Sequence, residues 1–262
     1  MNTTTQQKKL EVMLAQVGLR DSDILFIDRT LTEYKSWLAK EGADPDTAES
    51  LAQDMLTSLV PGEALRRIRV LIKHCTRCPG LGSYCPGDGP PTAQIVFVGE
   101  APGAAEEQQH KPFVGPAGKL LDDLLKEHAL LSRAEVYVTN TIRCRPPENR
   151  DPTVAESRAC LTYLWRELAI IKPLLVVTLG NVPTRAFLPQ AKTVGEARGR
   201  VYRVTLPGSR QQVRVMPTYH PAVTLHSHKE DYEGRLAHDF QRIPYLAYHP
   251  EADGVEEEPL FA

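Results

Sequence analysis

Eight side chains in this 262-residue chain have the types and spacing to do chemistry. Four are cysteines. Cys75 and Cys78 form a C-x2-C pair, and Cys144 and Cys160 bound the segment "CRPPENRDPTVAESRAC". Soft thiolates from two remote segments suit a tetrahedral zinc or a four-iron, four-sulphur cluster, and spacing alone does not separate the two. Unconnected thiols are the plainer reading, with Cys160 merely packed on its helix, but packing gives no reason for a C-x2-C pair. Cys85 is left over. A site joining residue 75 to residue 160 would tie two parts of the chain together, so its first role is structural.

The other four residues are Glu100, Phe113, Asn140 and His220. Glu100 opens a glycine-rich turn, "GEAPG", after the apolar run Ile95 to Val98. Such turns commonly cradle phosphate, but a carboxylate there repels phosphate and suits water, a sugar hydroxyl or a developing cation. No G-x-x-x-x-G-K-[ST] sequence is present, which argues further against a nucleoside triphosphate. Phe113, in the loop "KPFVG", is either a core aromatic or a platform for a flat ligand. Asn140 could cap a turn, or offer a donor and an acceptor side by side to a nucleobase edge. His220 precedes Pro221 and, taken alone, reads as an internally satisfied histidine.

The elements that must position these groups alternate. Apolar strands are expected at 95–99, 136–140, 174–180 and 213–220, with helical patterns between them, one of them begun by Asp151-Pro152. The alternation predicts an α/β fold of three layers, α/β/α, around a central, mostly parallel four-stranded sheet. Ligands of such sheets bind at the carboxyl ends of the strands. Glu100, Asn140, Gly180-Asn181 and His220 all lie at such ends and can share one cleft.

Residues 1–70 read as a helical N-terminal extension of two or three short helices, punctuated by Gly42 and Pro61-Gly62. Residues 71–248 form the α/β/α domain, and 249–262 have the composition of an acidic, disordered tail. The net charge of -2 hides a distribution: residues 71–248 hold 22 Lys and Arg against 17 Asp and Glu. This mild excess fits a polyanion partner or an ordinary solvated surface. No apolar run approaches the ~20 residues of a membrane span, and the N-terminus lacks a secretion signal. We therefore expect a cytoplasmic protein without a membrane partner, located at the nucleoid in a prokaryote, in which five cysteines favour metal binding over disulfides.

In continuous order, "GEAPG", "PFVGPAGKLLD", "TNTIRCRPPENR", Cys160, "LGNVPTRAFL", "ARGR" and "YHPA" resemble the family 4, iron-sulphur uracil-DNA glycosylases over residues 70–245. The resemblance implies a [4Fe-4S] cluster on Cys75, Cys78, Cys144 and Cys160. It implies a pocket framed by Gly99, Ala101, Pro102 and Gly103, with Phe113 stacked on uracil, Asn140 reading its edge and His220 donating to O2. Glu100, with Glu106 or Glu107, would handle the water or the sugar cation, making Glu100, Asn140 and His220 the catalytic set. DNA would be held by Arg150 and by Arg198, Gly199 and Arg200, and Leu225 would enter the duplex with His226 near phosphate.

The implied activity is monofunctional hydrolysis of the N-glycosidic bond of uracil in single- or double-stranded DNA, by a monomer, as the first step of base excision repair. The competing reading is an iron-sulphur DNA-binding or redox-sensing protein without glycosylase activity. The chain departs from the family pattern at three places: Ala222 stands where a serine is usual, Thr224-Leu225-His226 where a Leu-Leu-Arg wedge is usual, and His110 where glycine is common.

Overall fold

Helix α1, Pro45–Lys73, leads into the first cysteine pair and runs unbroken through Pro61. The expected punctuation at Pro61-Gly62 does not occur. Proline removes one intrahelical hydrogen bond and crowds the preceding turn, but Ala, Leu, Met, Glu and Arg, all good helix formers, flank it on both sides and carry the helix through. The computed structural model describes residues 44–207, 211–225, 229–251 and 256–258, with scattered positions between 32 and 42. The chain divides into two compact units, Met1–Arg67 and Ile68–Ala262. All the candidate chemistry belongs to the second.

The second unit is built on strands β1 Ile95–Gly99, β2 Tyr137–Asn140, β3 Leu175–Leu179, β4 Tyr202–Thr205, β5 Gln212–Thr218 and β6 Glu256–Glu258. Their order is β2-β1-β3-β5-β4-β6. The four expected strands, β2, β1, β3 and β5, pair in parallel. Two further strands extend the edge: β4, antiparallel to β5, and β6, parallel to β4. The sheet is thus two strands wider than expected. β4 has only a short half-buried alternation, and β6 is a run of three glutamates inside the acidic tail, which carries no apolar period.

Helices α2 Ala104–Gln109, α3 Pro116–Leu124, α4 Val154–Ile171, α5 Asn181–Phe187, α6 Val194–Ala197 and α7 Lys229–Tyr248 complete the unit. Strand side chains alternate between faces. Phe97, Val138, Val177 and Met216 join one core with Leu121 and Phe240 of α3 and α7. Their neighbours turn the other way: Thr139 donates to Glu167 on α4, and Thr178 bonds Thr184 on α5. These are the two outer layers of the α/β/α sandwich. α4 begins at Thr153, whose Oγ1 accepts the Glu156 N–H while the Glu156 carboxylate accepts the Thr153 N–H. This capping box, rather than Asp151-Pro152, sets the start.

β1 is followed by β2 on one side, and the chain then crosses β1 to place β3 on the other. That reversal opens a crevice at the carboxyl ends of β1 and β3, where Glu100 and Gly180 emerge.

Candidate active site and cysteine pocket

Gly99 ends β1 directly beside Asn140 at the end of β2. A Cβ at Gly99 would lie 2.5 Å from Asn140 Oδ1 and 2.6 Å from Phe113 Cζ. Only a bare backbone lets the amide and the ring close in from both sides. Phe113 adopts a left-handed backbone, φ 54°, and a Cβ at Gly118 would meet its carbonyl, so the loop folds flat onto α3. The ring belongs to the core and also lines the cavity. Its centroid is 5.9 Å from that of His220, tilted by 30°.

A cavity of about 910 Å³ is lined by Glu100, Ala101, Pro102, Gly103, Glu106, Phe113, Asn140, Arg150, His220 and Leu225. Gly115, Pro116 and Ala117, at the start of α3, complete one wall; sequence reasoning overlooked them, although Pro after Gly is a helix-start signal. A second cavity of about 610 Å³ adjoins it through Glu100 and His220, and adds Asp151, Arg185, Tyr219 and Tyr232. Asp151, Arg185 and Tyr219 lie within stretches the sequence singled out, but only the fold brings them together with Tyr232.

The protonation of His220 follows from its contacts. The Ala222 backbone N–H donates to His220 Nδ1 at 3.2 Å, which requires an unprotonated Nδ1 and leaves the proton on Nε2. Burial pushes this imidazole down to about 4, with Glu106 opposing. His220 is therefore a neutral donor at neutral pH. Glu100 is half-buried, and desolvation raises its carboxyl, assisted by Asp151 and opposed by Arg185.

The three carboxylates of the loop have separate fates. Glu106 lines the cavity, but its oxygens accept the N–H groups of Gly103, Val114 and Gly115, clipping the "GEAPG" turn to the Phe113 loop. Glu107 is not among the lining residues. It accepts the Ser83 N–H at 2.7 Å and pairs with Arg145 at 3.1 Å, contacts that lower its carboxyl, so the structure sets it against the 82–83 segment instead of the ligand. One helical step separates the two, about 100°, which is enough to send them to different partners. Glu100 is the carboxylate left facing the cavity.

Cys75, Cys78, Cys144 and Cys160 line one pocket with Ile72, Arg77, Leu81, Ile142 and Tyr163. Cys85 is absent from it; it is buried, and burial raises its thiol to about 12. Among the described residues, no three His, Cys, Asp or Glu converge to hold a single ion. Burial lifts Cys144 to about 11, with the other three sulphurs adding to the rise, and the Arg143 N–H donates to Cys160 Sγ at 3.2 Å. Four thiols lining one pocket, with a backbone donor on one sulphur, have the donor chemistry of a zinc or iron-sulphur site.

Residues 86–241 match the Uracil DNA glycosylase superfamily. The chain belongs to that family. Within it, the similarity runs to the Type-4 enzymes. A "Type-4 uracil-DNA glycosylase" of Sulfurisphaera tokodaii is 38% identical over 72% of this chain and 87% of its own length. Those of Saccharolobus solfataricus and Archaeoglobus fulgidus are 43% and 40% identical, over 60% and 70% of this chain and 74% and 94% of their own.

In this member of the glycosylase family, the expected DNA-facing residues divide. Arg150 and the exposed Leu225 stand on the cavity wall, Arg150 paired with Glu156 at 2.7 Å and Leu225 closing the turn Pro221–Leu225. Arg198 does not face outward as a free cation. Its guanidinium grips the fully buried Asp239 with two hydrogen bonds, at 3.1 and 2.8 Å, and lies over the Tyr219 ring. Its sequence position in "EARGR" suggested phosphate; the structure gives its guanidinium a partner in Asp239. Gly199, at φ 80°, turns the chain so that its carbonyl accepts from Arg242, and Arg200 is exposed. His226 lies outside the described residues.

His110 takes a left-handed conformation, φ 52°, as the last turn of α2 closes. Glycine adopts this geometry at no cost, which accounts for the family preference. Here the ring stacks on Tyr84 at 4.3 Å, and its Nδ1 bonds the Tyr84 carbonyl.

Proposed function

We propose that this protein excises uracil from DNA by hydrolysing the N-glycosidic bond, leaving an abasic site. The observation that carries the reading is the convergence of Glu100, Phe113, Asn140 and His220 on one cavity at the carboxyl ends of the strands. A DNA-binding or redox protein without chemistry would have no use for that convergence. DNA is the partner, and the chain acts as a monomer in the cytoplasm, at the nucleoid in a prokaryote. Among the described residues no helix is long and apolar enough to cross a membrane.

A base inside a duplex is out of reach, so the nucleotide swings out at a cost of a few kcal/mol, less for a mispaired base. Phe113 receives the face of the uracil. Asn140 accepts from N3–H and donates to O4; cytosine presents the reverse pattern and leaves buried polar groups unpaired. As the bond from N1 to C1′ lengthens, negative charge gathers on O2, and the Nε2–H of the neutral His220 donates to it. Positive charge gathers on the sugar, where Glu100 offers its carboxylate to the cation or to the incoming water. Leu225 fills the space left in the duplex, and Arg150 meets phosphate.

Cys75, Cys78, Cys144 and Cys160 hold a [4Fe-4S] cluster in this reading. Bound there, it supplies a covalent cross-link that organises three chain segments. The deciding experiment incubates the full chain with a uracil-containing oligonucleotide and cleaves abasic sites with alkali. Strand scission at uracil supports the activity, and binding without scission supports the non-catalytic reading.

A further inference from the structure

Arg143 is the largest fully buried side chain among the described residues, and no step of the chemistry above uses it. It stands between the two sites. Its backbone N–H donates to Cys160 Sγ at 3.2 Å, its carbonyl accepts the Cys85 N–H at 2.6 Å, and Cys144 follows it in the chain. Its side chain folds back toward the base cavity: Nη1 donates to the Asn140 carbonyl, and Nη2 to Glu167 Oε2 at 2.6 Å. The same Glu167 oxygen accepts the hydroxyl of Thr139, the residue before Asn140.

This arrangement is a poor way to gain stability. Arg143 and Glu167 are each only 1% exposed, and Arg143 Nε finds no hydrogen-bond partner. Burying an incompletely satisfied ion pair costs more in desolvation than an apolar pair of the same volume. What the pair does supply is orientation. The guanidinium clamps the peptide on the carbonyl side of Asn140, Glu167 clamps Thr139, and α4 carries Glu167 seven residues beyond Cys160. The Asn140 amide therefore has its backbone held from the helix that also carries one of the four thiols.

We propose that Arg143 is a positioning residue that transmits the integrity of the four-cysteine site to the base-reading Asn140. The proposal rests on the reading of Asn140 as the uracil reader. Coupling of this kind is reciprocal: if the thiol site steadies Asn140, a ligand on Asn140 steadies the thiol site.

Two measurements on the full, metal-loaded chain test it. The first uses free uracil as the probe and follows metal release under mild oxidation with a colorimetric chelator. Saturating uracil should slow release by about threefold or more in the wild type and leave it unchanged in the double variant Arg143→Met/Glu167→Leu, which removes both charges together so that neither is left buried alone. The second measures single-turnover excision and discrimination between uracil and cytosine. The double variant should melt close to the wild type yet lose about tenfold in rate and in discrimination. Should it fail to fold, Arg143→Lys takes its place: it keeps the charge for Glu167 but lacks the fork that reaches Asn140, and should give the same two losses.

Equal protection of the metal by uracil in variant and wild type, or no protection in either, overturns the proposal. So does a variant within about twofold of wild-type rate and discrimination. A wild type that cuts no uracil-containing DNA overturns the glycosylase reading itself, an outcome separate from these.

Discussion

The base cavity and the thiol pocket are reached from the same short segment, with Asn140 lining one and Cys144 the other. The base cavity is shaped by contacts within the chain. Gly99 leaves room for the Asn140 amide and the Phe113 ring, Glu106 clips two loops together, and the Ala222 N–H sets the tautomer of His220. His220 and Glu106 thus have their orientation decided beforehand by backbone N–H groups, which is what preorganised stabilisation of a developing charge needs. The thiol pocket is the reverse. Burial keeps Cys144 near 11, and Cys78 and Cys160 are also raised, so these groups are neutral until something cationic binds. One site is shaped by contacts already made, and in the proposed reading the other is completed by the group its thiols would bind.

The largest effect that would sharpen this contrast is expected from Cys144→Ser. Bound iron and its visible absorbance should disappear, with stability falling by several kcal/mol, because a structural metal's binding energy is folding energy. Unaltered melting and iron content would break the contrast.

His220→Ala should leave melting close to wild type but lower the single-turnover rate by ~10² to 10³, the scale of one lost oxyanion donor. A rate within about threefold would remove His220 from the chemistry. The wild-type rate should depend little on His220 between neutral pH and about 5, then fall as the ring protonates near 4. The folded imidazole lies below its ordinary 6.5, so its contribution to stability is complete above 6.5 and is lost as pH falls through 4. Melting measured across that window, with His220→Asn lacking this component, checks the sign.

Leu225→Ala should reduce excision from duplex by about tenfold while sparing single strands, where no gap in a stack needs filling. Equal loss on both substrates would make Leu225 part of the cavity wall only. Arg198→Ala should act on stability, by about 3 kcal/mol, because Asp239 would be left buried and unpaired. A normal melting temperature with weakened DNA binding would return Arg198 to the DNA surface. The smallest effect belongs to Glu107→Gln: activity within about threefold of wild type, since the side chain faces Ser83 and Arg145. A hundredfold loss would reinstate it beside Glu100.

Much of this was legible in the chain. Apolar runs of about five residues, alternating with helical periods, announced the four parallel strands, and turn residues at their ends announced a shared cleft. The edge strands were not legible, because β6 is three glutamates that pair through backbone alone. Nor was the sorting of Glu100, Glu106 and Glu107, which have one chemistry and three environments.

Residue type and local period are properties of a short stretch, so the sequence by itself determined the four parallel strands, the thiols available as donors, the glycine turn and the identity of the groups at the strand ends. Which groups stay free to meet a ligand is a property of neighbours distant in the chain. Only the tertiary structure decided that Arg198 serves Asp239, that Glu106 serves three backbone amides, and that the His220 proton sits on Nε2. A hydrogen bond or ion pair satisfies whichever partner the fold brings within about 3 Å, and no local pattern encodes that choice.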